Sequence, residues 1–141
     1  LIEIKDQTLV PGGTIGPLEA ATAQALSGYA GPVALMSFNP FSVAALAEAK
    51  LDRPRGLTTS AYNPEDWPLI PAPVRDRLRG IPDYDVTGAS FISHEAADLD
   101  RPRVAELKAA GAAILTWTIR SPEADAAARR IAATGFSRFS S

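Results

Sequence analysis

An acidic and a basic side chain, Glu3 and Lys5, stand two residues apart in the first segment of the sequence, Leu1–Asp6. The alternation of this segment predicts a strand, with Glu3 and Lys5 roughly 7 Å apart on one face and with Ile2 and Ile4 packed against helices on the other. A strand buried in a parallel sheet is usually apolar on both faces. The pair is therefore interpreted either as a structural ion pair or solvent-facing edge strand, or as a site where the carboxylate binds a metal and the ammonium binds an anion.

Composition excludes several classes of function. The chain has 141 residues, a size compatible with one domain, and a net charge of -2, which gives no electrostatic case for binding nucleic acid or an anionic membrane. It has no cysteine and one histidine, so disulfides and an ordinary zinc site are excluded, and any metal would be Mg²⁺ or Ca²⁺ held by carboxylates. There is no apolar run long enough to span a membrane and no signal peptide, so we expect a cytoplasmic protein. Because the sequence begins inside a predicted strand, we expect further residues upstream.

Strands and helices alternate along the predicted elements. The predicted strands are Leu1–Asp6, Val33–Met36 with a polar end at Ser37–Pro40, Arg55–Thr59, Ala89–Ser93 and Ala113–Ile119. The predicted helices are Pro17–Tyr29, Val43–Lys50 with Ser42 as N-cap, Val74–Arg79, Pro102–Ala110, and a last helix that begins after the N-cap Ser121 and ends near Ala132. The alternation predicts a parallel sheet with right-handed crossovers.

An open doubly wound sheet and a barrel both fit this alternation. No G-x-G-x-x-G fingerprint follows a strand, which weakens the case for a dinucleotide-binding fold. Polar residues gather where the strands end, as in a (β/α)₈ barrel, whose chemistry lies at the carboxyl ends of its strands. Such a barrel needs eight strands and roughly 250 residues, and this chain supplies about five strands.

Four segments carry a family resemblance: LIEIK at the start, LMSFNP at Leu35–Pro40, PRGLTT at Pro54–Thr59 and ELKAAGAAILTWTIRSPEA at Glu106–Ala124. Their order and spacing resemble the glycerophosphodiester phosphodiesterases. The resemblance implies an α/β fold, a TIM (β/α)₈ barrel of which residues 1–141 form a single partial domain. It implies that the chain covers roughly the third to seventh βα units, and residues 133–141 are an atypical tail that is either a divergent strand or an altered reading frame.

The same resemblance implies an activity and a set of site residues. The family hydrolyses glycerophosphodiesters to an alcohol and glycerol 3-phosphate by metal-assisted acid/base catalysis. By motif, Glu3 resembles the metal ligand, with Mg²⁺ or Ca²⁺ as the cation, and Lys5 resembles the basic residue near the phosphate. Phe38 and Trp117 resemble the aromatic residues of the substrate pocket. The family's His-Arg and Glu-x-Asp strands and its catalytic histidines have no counterpart here, so no catalytic residue is assigned and the chain alone is expected to be inactive.

Two alternative functions remain open at this stage. One is an inactive partial barrel, or a non-enzymatic product that forms a homo-oligomer through its open edges. The other is a related barrel phosphodiesterase that acts on lipids, although the sequence lacks a basic or amphipathic membrane face. We expect a small-molecule diester as ligand, with no nucleic acid partner and no membrane insertion.

Three further predictions concern side chains outside the family motifs. His94 is expected after the end of its strand, at the barrel mouth, with no acid placed to pair with it. Trp67 is expected to pack over a neighbouring helix. Asp83 and Asp85 are expected to be solvated in a connecting loop.

Overall fold

The protein forms one parallel sheet of six strands in a computed structural model that describes residues 1–5, 15–49 and 52–132 and the backbone of 134–137. The strands lie side by side in chain order, each pairing in parallel with the next. They are β1 (Ile2–Glu3), β2 (Leu35–Ser37), β3 (Arg55–Thr59), β4 (Phe91–Glu95), β5 (Ala113–Ile119) and β6 (Thr134–Ser137). β1 and β6 are the two edges of this half-barrel.

Helices connect the strands, as the alternating pattern predicts. They are α1 (Pro17–Leu26), α2 (Pro40–Glu48), α3 (Ala72–Arg79), α4 (Pro102–Ala109) and α5 (Pro122–Ala128), with a short 3₁₀ turn at Ala96–Asp98. Each α-helix has proline in its first turn. A backbone N–H at this position has no acceptor within the helix, so its absence in proline costs no helical hydrogen bond. None of the described helices is long and apolar enough to cross a membrane.

The two faces of the sheet differ in chemistry. On one face, Leu57, Ile92 and Ile114 pack with helix residues such as Val43 and Val104 in the main hydrophobic core. The register pairs Glu3 with Met36, Met36 with Gly56 and Gly56 with Phe91, so these four residues share the opposite face. Successive side chains alternate along a strand, and Glu95, paired with Trp117, therefore lies on that second face as well. The helices cover the first face, and the second carries the polar and aromatic residues of interest.

Most predicted element positions agree with the structure, and the differences have local causes. β3 and β5 have the predicted bounds, and Ser121 caps α5 by accepting a hydrogen bond from the Ala124 N–H at 3.0 Å. α2 begins earlier than predicted, because Asn39 rather than Ser42 is the N-cap and accepts from the Phe41 N–H at 3.0 Å. The predicted end of this helix, Lys50, lies outside the described residues.

The two ends of the chain depart from the prediction. Ile4 is buried with Leu35 and Leu46 as expected, but Ile2 is 37% exposed, because the edge strand β1 has a neighbour on one side only. Within the atypical tail predicted for 133–141, residues 134–137 pair with β5 as a sixth strand, with a register irregularity between Thr116 and Ile119. The other residues of this tail, 133 and 138–141, lie outside the described residues, so the choice between a divergent strand and an altered reading frame stays open.

Candidate functional site

A cavity of about 600 Å³ opens at the carboxyl ends of β2, β4 and β5. We call it the aromatic pocket, and its lining consists of Phe38, Ser60, Asp66, Trp67, Glu95, Ala96, Ala97, Trp117, Thr118 and Arg120. In parallel α/β folds this end of the sheet is where ligands bind. Both residues that the sequence assigned to a substrate pocket, Phe38 and Trp117, are in this lining.

Three aromatic rings form a corner in the aromatic pocket. The Phe38 ring lies 5.0 Å from the Trp67 ring at 61° and 5.6 Å from the Trp117 ring at 80°, both in edge-to-face contact. The ring centroid of Tyr62 lies 5.4 Å from that of Trp67, so the Tyr62 ring also packs against the indole. The sequence predicts that Trp67 packs over a neighbouring helix; in the structure its ring contacts those of Phe38 and Tyr62 and lines the aromatic pocket.

Trp117 is held in place by a polar contact as well as by its ring. Its indole Nε1–H donates to the Ser93 carbonyl oxygen at 2.9 Å, across the β4–β5 pair. Its register partner is Glu95, the last residue of β4. A strand-end tryptophan that is anchored in this way keeps its ring at the pocket wall.

Charged side chains of both signs line the aromatic pocket. Glu95 accepts a hydrogen bond from the Ala61 N–H at 3.0 Å, which fixes its carboxylate next to the pocket. Asp66 and Arg120 are exposed and line the same cavity. Sequence reasoning missed all three, and only Glu95 offered a signal, because it lies two residues after Ser93 and four after Phe91 and therefore on the same strand face.

Glu3 and Lys5 form an ion pair on the edge strand, with 3.1 Å between Glu3 Oε2 and Lys5 Nζ. The Glu3 side chain is 24% exposed and that of Lys5 is 76% exposed. The simpler of the two interpretations, an ion pair on an edge strand, therefore agrees with the structure. Glu3 shares the sheet face of Trp117, but neither Glu3 nor Lys5 lines the aromatic pocket.

The described residues do not by themselves make a metal centre. No group of three or more histidine, aspartate or glutamate side chains is placed to hold a cation within 1–5, 15–49 and 52–132. Mg²⁺ and Ca²⁺ require six or more oxygen ligands, and Glu3 offers one carboxylate that already contacts Lys5. The metal role of Glu3 and the phosphate role of Lys5 remain predictions.

His94 is not at the mouth of the sheet, contrary to the sequence-based expectation. It lies inside β4, fully buried, on the helix-covered face. Its Nδ1 is 2.7 Å from Thr59 Oγ1 and its Nε2 is 2.8 Å from Asp98 Oδ2. Asp98 in turn contacts the Arg101 guanidinium at 2.7 Å. The prediction that no acid is placed to pair with His94 is wrong. Asp98 lies beyond the strand end in the sequence, but the 3₁₀ turn Ala96–Asp98 brings its carboxylate to the ring.

These contacts fit a neutral imidazole, in which Nε2–H donates to Asp98 and Nδ1 accepts from the Thr59 hydroxyl. Burial lowers the pKa of His94 from its ordinary value, although the hydrogen bond to Asp98 opposes the shift. The histidine therefore has a structural role, joining β3, β4 and the turn that follows β4.

The lowered pKa predicts a pH-dependent stability. Below pH 6.5 the unfolded chain takes up a proton at His94 before the folded chain does, so the free energy of unfolding falls. The loss stops once the pH is below the folded-state pKa. Urea denaturation on both sides of pH 6.5 measures this slope, and a His94→Gln variant should lack it. Equal slopes in the two proteins would contradict the assignment.

Comparison with known proteins identifies similar folds among solved structures. No family model matches the sequence, and no curated protein matches it. The chain is similar to a phosphodiesterase from Oleispira antarctica in complex with the product sn-glycerol-3-phosphate, at 21% identity and a TM-score of 0.62. It is also similar to a putative glycerophosphoryl diester phosphodiesterase from Agrobacterium tumefaciens, at 18% identity and a TM-score of 0.65.

The two matches cover most of this chain but only part of the other proteins. They span 84% and 86% of this chain, and 44% and 47% of the Oleispira and Agrobacterium chains. The chain thus spans less than half the length of these proteins. At such identities the likeness is one of fold: the chain has the half-barrel architecture of part of a glycerophosphodiester phosphodiesterase TIM barrel.

Proposed function

We propose that this chain is part of a glycerophosphodiester phosphodiesterase, whose complete barrel hydrolyses a glycerophosphodiester to an alcohol and glycerol 3-phosphate. The observation that carries the proposal is the match of about 85% of this chain to two phosphodiesterases, together with the aromatic pocket at the carboxyl ends of its strands. The Oleispira protein holds glycerol 3-phosphate, so that fold accommodates this product.

In this proposal, Glu3 and Lys5 act on the reacting phosphate, and Phe38 and Trp117 bind the rest of the substrate. Glu3 lies at the end of β1 on the sheet face that Trp117 shares, where its carboxylate can be one ligand of a Mg²⁺ or Ca²⁺ ion. Lys5, 3.1 Å from Glu3, is a cation that can offset charge on a phosphate. Phe38 and Trp117 form walls of the pocket for the organic part of the substrate. The remaining cation ligands and the acid/base groups would come from the part of the barrel that this chain does not span.

The chain alone is expected to release no glycerol 3-phosphate above background. Its one histidine is buried in the helix-covered face, and its described residues lack a three-carboxylate cation site. Incubation of the 141-residue chain with a glycerophosphodiester and Mg²⁺ or Ca²⁺, with enzymatic detection of glycerol 3-phosphate, tests this. Release that requires both the metal and Glu3 would contradict it.

The proposal itself is tested by completing the barrel. A chimera would join this chain to the part of the Agrobacterium protein that the match does not cover. We expect a folded chimera, checked by circular dichroism and size exclusion, to hydrolyse glycerophosphodiesters at a rate well above that of either part. A folded but inactive chimera would count against the proposed function.

A further inference from the structure

We propose that Arg79 is a positioning residue, whose guanidinium holds the loop after β3 (60–71) so that Trp67 and Glu95 keep their places at the aromatic pocket. Arg79 is the last residue of α3 and is not among the residues that line this pocket. It therefore acts through other residues and does not touch the substrate. The role rests on the proposed function, since it prepares the site for that reaction, but its first test needs no turnover.

Arg79 contacts two consecutive carbonyl groups of the loop. Its Nε–H donates to the Ala61 carbonyl oxygen at 2.7 Å, and its Nη2 donates more weakly to the Tyr62 carbonyl oxygen at 3.4 Å. The planar guanidinium presents its donors in fixed directions, so it sets the orientation of both carbonyl groups. A lysine ammonium is a point donor on a flexible stem and does not reproduce this geometry.

Ala61 connects Arg79 to Glu95. The N–H of Ala61 donates to the Glu95 carboxylate at 3.0 Å, while the carbonyl oxygen of the same residue accepts from Arg79. The Glu95 carboxylate in turn lines the aromatic pocket. Because both backbone groups of one residue are held, loss of the Arg79 contact leaves Ala61 free to rotate away from Glu95.

Tyr62 connects Arg79 to Trp67. Tyr62 is buried and has a φ of 54°, in the left-handed region that a tyrosine rarely adopts. Such a conformation costs free energy and persists only where surrounding contacts hold it. Two of these contacts are the bond from Arg79 to the Tyr62 carbonyl oxygen and the bond from the Tyr62 N–H to Ser60 Oγ at 3.0 Å. The Tyr62 ring, held in this way, packs against the Trp67 indole.

Arg79 is itself held by the turn that follows β4. Its carbonyl oxygen accepts from the Arg101 guanidinium at 3.2 Å, and Arg101 contacts Asp98 at 2.7 Å. The Arg79 side chain also pairs with Asp76 at 3.1 Å, but that carboxylate is 69% exposed, and such a pair contributes little. The loop after β3 and the turn Ala96–Asp98, which form two walls of the pocket, are therefore joined at Arg79.

Hydrogen exchange measured by NMR tests the role in the 141-residue chain. In Arg79→Lys we expect the Ala61 and Trp67 amides to exchange about tenfold faster, because their loop opens more often, while the amides of β4 keep their rates. Arg77→Lys is the matched control: Arg77 lies in the same helix, pairs with Asp83 at 2.8 Å and should leave all of these rates unchanged. A residue that only stabilised the whole fold would accelerate exchange in the loop and in β4 alike. Equal Ala61 rates in the two variants, or a uniform increase over the loop and β4, would overturn the inference.

The unmodified chain provides a second measurement that needs no variant to fold. The Arg79 Nε–H donates to the Ala61 carbonyl oxygen, so its side-chain NMR signal should exchange slowly with water. Arg77 binds Asp83 through Nη1 and Nη2, so its Nε–H should exchange faster. Equal exchange of the two Nε–H groups would also overturn the inference.

Kinetics of the completed barrel separate this role from the proposed function. Displaced pocket walls weaken the binding of substrate and transition state alike, so Arg79→Lys should raise KM several-fold and change kcat by less than about twofold. Arg77→Lys should change neither constant. If the folded chimera is inactive but the exchange rates are as expected, the role of Arg79 in the loop stands and the proposed reaction is wrong. If the chimera is active and Arg79→Lys has the kinetics of Arg77→Lys, the reaction stands and the inference fails.

Discussion

Replacing His94 by alanine is expected to lower the free energy of unfolding by about 3–4 kcal/mol. The side chain is fully buried, so its removal leaves a cavity between β4 and the helices. It also removes the partner of Thr59 Oγ1, which lies 2.7 Å from Nδ1, whereas Asp98 Oδ2, 2.8 Å from Nε2, keeps its contact with Arg101. An unpaired buried polar group adds its own desolvation cost to that of the cavity. Urea denaturation followed by circular dichroism gives the value.

Two variants define what the His94 result means. Gln24→Ala, on the exposed side of α1, should change stability by less than about 0.5 kcal/mol. Thr59→Val, which removes one of the two ring contacts, should cost about 1–2 kcal/mol. A loss below about 1 kcal/mol for His94→Ala would show that the network does not stabilise the fold.

Glu3→Gln is expected to reduce the hydrolysis rate of a completed barrel by at least about 100-fold. The amide keeps the size of the side chain but removes the charge proposed to bind the cation. The fold should tolerate the change, because a partly exposed ion pair such as Glu3–Lys5 contributes little to stability. Glu48→Gln, at the exposed end of α2, removes the same charge elsewhere and should keep full activity.

The measurement for Glu3 is kcat/KM for glycerol 3-phosphate release by the chimera and its two variants. A Glu3→Gln chimera with unchanged activity would mean that the Glu3–Lys5 pair is structural only. Lower activity that excess Mg²⁺ or Ca²⁺ partly restores would support a role in binding the cation.

Elements with a strong local pattern were predictable from the sequence. β5 was predicted with its observed bounds because seven residues rich in β-branched and aromatic side chains stand between Gly111 and Ser121, a helix end and an N-cap. β3 is short, but it lies between Pro54 and the irregular, proline-rich segment that follows Thr59, so its bounds were predicted as well. The parallel order followed from the strand–helix alternation.

Contacts between distant residues were not predictable in this way. Nothing in the sequence around Trp67 indicates that its loop returns to Phe38, because the contact depends on how the proline-rich segment folds. His94 was expected after the strand because polar residues usually end a buried strand. It is instead accommodated inside β4, since Thr59 and Asp98 satisfy both ring nitrogens.

The measurement that tests the proposed function most directly is identification of the products formed by the completed barrel. With glycerophosphocholine as substrate, phosphorus NMR and an enzymatic assay should detect glycerol 3-phosphate in step with choline, only when Mg²⁺ or Ca²⁺ is present. Loss of substrate without glycerol 3-phosphate, or no turnover by a folded chimera, would contradict the proposed function.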